Sequence, residues 1–202
     1  QTTTPPGGTT TTPSPANDLT ILNFALVLEY LEATFYTQGL SKFTSADFAQ
    51  SSSVKALTSN SGLGTTPPAG DTNTGLGQDV YAYVSLIRDH EQQHVRTLRN
   101  TIQSLGGTAV TPPTFKINYS NVDDFFTTAA LLENTGVAAY NGAMSLVYNS
   151  AIVTAGMKIV TVEGRHSAYL NRVLGQNPFP NAFDTGRSAA EILAVLGPFL
   201  GL

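Results

Sequence analysis

The 202-residue chain contains six glutamates, and four of them, Glu29, Glu91, Glu133 and Glu163, fall in line with apolar residues at helical spacing. Two of its three histidines, His94 and His166, lie on the same stripes. An ionised carboxylate on a buried face is costly unless it is paired or bound to a cation. Four of them, joined by two imidazoles, require positive charge between the elements that carry them. The spacing indicates its form. Glu91-Gln92-Gln93-His94 and Glu163-Gly164-Arg165-His166 both read Glu-x-x-His. Residues three apart on a helix share a face about 5–6 Å apart, so each carboxylate and imidazole can hold one ion. The chain has no cysteine, which excludes disulfides and thiolate ligands and leaves oxygen and imidazole nitrogen to bind a transition metal.

Four long helices are needed to position these groups. In the first, Leu22, Leu26, Glu29, Ala33 and Tyr36 recur at steps of three and four, with Asp18 as its expected cap. The second carries Val80, Val84, Ile87, Glu91, His94, Leu98, Ile102 and Leu105, and closes at Gly106-Gly107. The third carries Phe126, Ala129, Glu133, Val137, Tyr140, Met144 and Val147, with Ser120 placed to cap it. The fourth carries Ile152, Gly156, Ile159, Glu163, His166, Leu170 and Val173, and ends at Gly175. A short fifth helix is expected near 188–196, after NPFPNAFDTG, and TFKINY alternates as a short strand would.

The helices form two copies of one pattern. Tyr36 follows Glu29 by seven positions and Tyr140 follows Glu133 by seven, and each pair precedes a Glu-x-x-His. Glu29 and Glu91 are 62 positions apart, Glu133 and Glu163 only 30. The excess of 32 matches a Gly/Ser/Thr-rich loop over 41–75, read as an insertion in one copy. The expected fold is therefore an all-α four-helix bundle with a short C-terminal fifth helix. Residues 18–202 form the domain, preceded by an extended Thr/Pro-rich N-terminal arm over 1–17.

This constellation resembles the ferritin-like superfamily of di-iron and di-manganese carboxylate proteins, in which two helices each give a Glu and two each give a Glu-x-x-His. The resemblance covers 18–175. Around LNFALVLEYLEATFY, LLENTGVAAYNGA and PFPNAFDT it is closest to the desiccation-related group. It implies two iron ions, or manganese, with Glu29 and Glu133 as terminal carboxylates. Glu91 and Glu163 would bridge the ions, and His94 and His166 would supply nitrogen. Tyr36 and Tyr140 would stand behind the carboxylates, as would Glu32, whose counterpart in the other copy is Gly136. Rubrerythrin-like helices often place an acid just before Glu-x-x-His; here those positions are His90 and Val162, and His90 reads as an exposed helix residue rather than a ligand.

Composition narrows the remaining choices. Charged residues are 12 % of the chain, against about 25 % in ordinary soluble domains. A surface so sparsely charged suits a secreted, extracellular protein or one covered by neighbouring copies. Beginning at Gln1, the chain reads as processed, with a secretory signal removed. The ten Lys and Arg are scattered and the net charge is −4, which argues against nucleic-acid binding. No run of 18 uninterrupted apolar residues indicates a membrane span. The arm, partly echoed by TTPPAGDT at 65–72, reads as a linker, an O-glycosylated spacer or a segment docking on another subunit. Asn118-Tyr119-Ser120 fits the N-glycosylation pattern. Two functions follow: oxygen- or peroxide-linked redox chemistry of ferroxidase type at the metal pair, or a secreted structural subunit of a homo-oligomeric filament or array assembled through residues 1–17, its metal site stabilising or vestigial. A cage-forming iron store is a third.

Overall fold

The computed structural model describes residues 13–59 and 80–202. Its order is α1 (Pro15–Lys42), α2 (Ser45–Gln50), α3 (Ser52–Ser59), α4 (Val80–Ser104), α5 (Val122–Met144), α6 (Ser150–Val173) and α7 (Ala189–Leu200). Helices α1, α4, α5 and α6 form the bundle. α1 packs mainly on α4 and α5 on α6, and α1 and α5 close the two pairs together. Neighbours run antiparallel: Tyr30 of α1 meets Arg99 of α4, while Tyr36 and Tyr140 reach Glu133 and Glu29 across α1 and α5. The expected stripes supply the core, with Leu26, Val84, Ile102, Phe126, Ala129 and Leu170 fully buried.

Local signals set the helix ends, though not always those expected. α1 begins at Pro15, beyond Asp18, because Pro fits the first turn, where its missing N–H has no intrahelical role. Asp18 is instead buried in that turn and accepts hydrogen bonds from the Tyr148 and Asn149 N–H groups, at 2.8 and 3.0 Å. It ties the start of α1 to the α5–α6 connection. Asn121, not Ser120, caps α5 by accepting from the Asp124 N–H. Gly106 and Gly175, with φ of 74° and 73°, stop α4 and α6 in the left-handed region that costs glycine little.

Two expectations of the connecting segments are corrected. TFKINY is not a strand, and no strand occurs among the described residues. Its alternation is real: Phe115, Ile117 and Tyr119 turn inward while Lys116 and Asn118 are exposed. No second strand lies beside it; the Lys116 N–H donates instead to the Phe199 carbonyl at the end of α7. The described part of 41–75 is not loop either, since it continues α1 to Lys42 and then forms α2 and α3. A reciprocal Thr44–Asp47 box caps α2, the Ser52 and Ser53 N–H groups opening α3 donate to Asp123, and Phe48, Val54 and Leu57 are buried. The rest of that segment, and residues 1–12 of the arm, lie outside the described residues.

Phe48 joins Phe35, Tyr36, Tyr119, Phe125 and Phe126 in an aromatic cluster at one end of the bundle, with ring centroids 4.8–5.9 Å apart. Each fully buried Phe contributes roughly 1.5–3 kcal/mol by leaving water, so Tyr36 is held on a rigid base. After α6 the chain crosses back over α5, where the Arg187 N–H donates to the Ala138 carbonyl at 2.9 Å. Gly142 permits that crossing, because a Cβ there would collide with the Arg187 carbonyl oxygen. α7 then starts at a Ser188–Glu191 capping box, which accounts for the sixth glutamate. Among the described residues only α1 is long and apolar enough to cross a bilayer, and it is half buried in the bundle. Its inward face carries Glu29 and Glu32, which marks it as a core helix.

Candidate metal centre

The four stripe glutamates and both stripe histidines meet midway along the bundle, one residue group per helix. Glu29 comes from α1, Glu91 and His94 from α4, Glu133 from α5, and Glu163 and His166 from α6. All six are buried. The Nδ1 of His94 lies 3.3 Å from Glu29, 2.9 Å from Glu91 and 2.8 Å from Glu163. The Nδ1 of His166 lies 3.3 Å from Glu133, 3.0 Å from Glu91 and 3.6 Å from Glu163. Glu91 and Glu163 are therefore shared, and Glu29 and Glu133 each serve one side.

The cluster forms two overlapping sets, Glu29/Glu91/His94/Glu163 and Glu91/Glu133/Glu163/His166. Within each set one ligand atom per residue lies within 4.8 Å of all the others. One imidazole N–H can serve one acceptor well, yet three carboxylates crowd each Nδ1. Glu29 Oε2, Glu91 Oε1 and both Glu163 oxygens are buried without a hydrogen-bond partner. Unsatisfied buried acceptors of this kind are expensive, and a cation between them removes the cost. Four ionised glutamates also balance two divalent ions in charge. The residues thus fit a metal pair, and an all-oxygen-and-imidazole set suits iron or manganese.

Electrostatics of the metal-free cluster follow from burial and crowding. Burial pushes Glu29 up to about 8, against contacts with His94 and reinforced by Glu163 and Glu91. Burial, then the charges of Glu163 and Glu91, pushes Glu133 well above the carboxylate range. Burial would also raise Glu163, but contacts with His166 and His94 outweigh it and hold the group below its ordinary range. Burial would depress both histidines; contacts of His94 with Glu163, Glu29 and Glu91, and the charge of Glu133 beside His166, raise them instead. The same crowding of carboxylates that raises these groups is what a bound cation would relieve.

The tyrosines brace the site crosswise. Seven residues span about 10.5 Å along a helix, too far for either Tyr to reach the glutamate of its own copy. Tyr36 on α1 donates to Glu133 on α5 at 2.6 Å, and Tyr140 on α5 donates to Glu29 on α1 at 2.5 Å. Both hydroxyls are pushed well above the usual phenol range by burial and by the carboxylate each faces, so they remain donors.

Two features break the duplication. Glu32, one turn beyond Glu29, is buried, and burial with the charges of Glu163 and Glu133 raises it well above the carboxylate range. Its counterpart Gly136 gives it room: a Cβ at 136 would stand 3.1 Å from Glu32 Oε1. His90, expected to be exposed, is instead half-buried. Its Nδ1 lies 3.0 Å from Nε2 of His166 and the two rings stack at 5.3 Å. The residue before one Glu-x-x-His thus orients the histidine of the other. His90 lies three positions after Ile87 and four before His94, on the flank of the core stripe, and that spacing was the available signal.

A bundle of four antiparallel helices with paired Glu and Glu-x-x-His ligands defines a class, and the sequence matches it: the family model of the ferritin-like domain covers residues 17–176. The chain belongs to the ferritin-like domain family. Among curated proteins it is similar to Protein rds1 of Schizosaccharomyces pombe, with 24 % identity over 183 residues. That match takes in 91 % of this chain and 39 % of the relative, so the chain spans about two fifths of that protein's length.

Proposed function

We propose that the centre holds two metal ions, iron or manganese, and performs oxygen- or peroxide-linked redox chemistry of ferroxidase type. Glu29, Glu91, His94 and Glu163 would hold one ion and Glu91, Glu133, Glu163 and His166 the other. The observation that carries this reading is the pair of overlapping four-residue sets with two shared carboxylates. When bound, two adjacent ions of this type exchange electrons with small oxidants and template their approach.

The protein's own groups prepare that chemistry by fixing ligands and protons. Tyr36 and Tyr140 keep one oxygen of each terminal carboxylate occupied, which turns the other toward the centre. If His166 held an ion through Nδ1, its remaining proton would sit on Nε2, 3.0 Å from His90 Nδ1, and could donate to it. That bond would set the tautomer and ring orientation, as outer partners of metal-ligating histidines do. Burial, with the charge of Glu163 beside it, raises Glu32 well above the carboxylate range, which would suit it to hold a proton for the cluster. The sparse charge of the chain, 12 %, supports placing this chemistry outside the cell in a protein that shares its surface with other copies.

The test is metal analysis of protein purified without added metal, comparing the native chain with Glu91→Ala/His94→Ala. The expected result is about two iron or manganese ions per chain, as the bundle precedent gives, lost in the variant, with oxygen consumption following the metal. A folded native protein free of metal would refute the reading.

A further inference from the structure

Beside the centre, between α4 and α6, lies a cleft of about 330 Å³. Tyr83, Leu86 and His90 of α4 and Arg165, His166 and Tyr169 of α6 line it. Its character is apolar with one cationic edge. Tyr83 and Tyr169 meet edge to face at 5.5 Å, and Leu86, 49 % exposed, presents a large aliphatic side chain to solvent. Arg165 is exposed and forms no ion pair among the described residues, where the one arginine–carboxylate pair is Arg88–Asp89. The buried His166 and its partner His90 form the wall toward the glutamates.

A concave, mainly apolar pocket with a few convergent polar groups is the usual form of a small-molecule site. We infer that this cleft binds a small aromatic carboxylate, its ring against Tyr83, Leu86 and Tyr169 and its anionic group on Arg165. Charge selects the anion, because the described wall offers the Arg165 guanidinium and no acidic side chain. A guanidinium receives a carboxylate through two parallel hydrogen bonds, and tyrosine rings receive an aromatic edge. The volume sits at the small end of ligand pockets, which fits one or two rings. The ligand would then lie against His90 and His166, the histidines that adjoin the glutamate cluster. Only its role as a reaction partner rests on the metal reading; binding itself does not.

The experiment titrates the 202-residue chain with benzoate, and with benzyl alcohol as the uncharged control, followed by saturation-transfer NMR. Benzoate should bind more tightly than the alcohol. Arg165→Gln should weaken benzoate about tenfold or more, the scale of one charge-assisted hydrogen bond, and leave the alcohol unchanged. Leu86→Glu should abolish both. Both positions are exposed, so folding, checked by circular dichroism, is expected to be intact. No transfer to benzoate, or binding insensitive to both substitutions, overturns the proposal. Metal content measured on the same samples separates the two readings: metal without benzoate binding refutes the cleft and leaves the centre, while benzoate binding to metal-free protein refutes the centre and leaves the cleft.

Discussion

Removing the metal should reverse the pH dependence of stability. In the metal-free fold Glu29 is raised from its ordinary 4.5 to about 8. An acid raised on folding keeps its proton in the folded state and loses it in the unfolded one, so stability falls as pH rises between the two values. From pH 5.5 to 8 the unfolded chain has already released this proton while the folded chain still holds most of it. Over that window the linkage amounts to about 3 kcal/mol from Glu29 alone, at 1.36 kcal/mol per unit. The raised histidines act in the same sense, because their folded-state protons are lost on unfolding above the ordinary imidazole value. Glu163, lowered by its contacts, is ionised in both states across the window and contributes no slope there. For a chain of this size 1 kcal/mol moves Tm by about 2–4 °C, so chelator-stripped protein should melt about 6–12 °C lower at pH 8 than at pH 5.5. Metal-loaded protein should show the opposite slope, because ligands must release protons to bind the ions. Scanning calorimetry on both forms at the two pH values is the assay. A stripped protein as stable at pH 8 as at pH 5.5 would show that the carboxylates are not protonated in the cluster, and the reasoning would fail.

Tyr36→Phe and Tyr140→Phe should weaken metal binding by similar factors of about 10–100, the range for outer partners of ligands, measured by chelator competition, because each hydroxyl holds one terminal carboxylate; unequal effects, with one near zero, would break the crosswise scheme. Gly136→Ala sets a helix-propensity gain of about 1 kcal/mol against crowding of Glu32 Oε1 at 3.1 Å, and should come out destabilising only through that crowding. In the Glu32→Ala background the crowding is gone and the same substitution should stabilise by about 1 kcal/mol, a coupling that denaturant titration of the double-mutant cycle would read.

The bundle was legible because its helix stripes are long and regular, and the ligands because they interrupt those stripes with acids that need a reason to be buried. Glu91 and Glu163 declared themselves through the histidines three positions on. Helix ends were less legible. Asp18 has the residue type of a cap, but its carboxylate is taken by backbone N–H groups some 130 positions away, which no local pattern records. TFKINY shows why alternation alone does not make a strand: the inward face was right, and among the described residues no neighbouring strand pairs with it. The segment over 41–75 looked like loop because Ser, Thr and Gly dominate it, yet Phe48, Val54 and Leu57 suffice to bury two short helices. His90 was misread because its partner, His166, belongs to the other half of the chain.

The duplication explains how the site is shared between the two halves of the chain, and the departures from it explain its asymmetry. Each half supplies a Glu, a Tyr and a Glu-x-x-His, and each Tyr secures the carboxylate of the opposite half, so neither helix pair can form a complete centre by itself. Both Glu91 and Glu163 contact both histidines. Closing the bundle and assembling the ligands are therefore one event, and metal binding should stabilise the whole fold rather than one pair of helices. Strict symmetry would make the two ion positions equivalent. Glu32 facing Gly136, and His90 where the other copy has Val162, make them different. One position has its histidine backed by a second imidazole at the edge of an apolar cleft, and the cluster has a buried acid matched by no partner in the repeat. If the centre holds two ions as proposed, these differences would make the two positions unequal and would place one of them nearer the cleft.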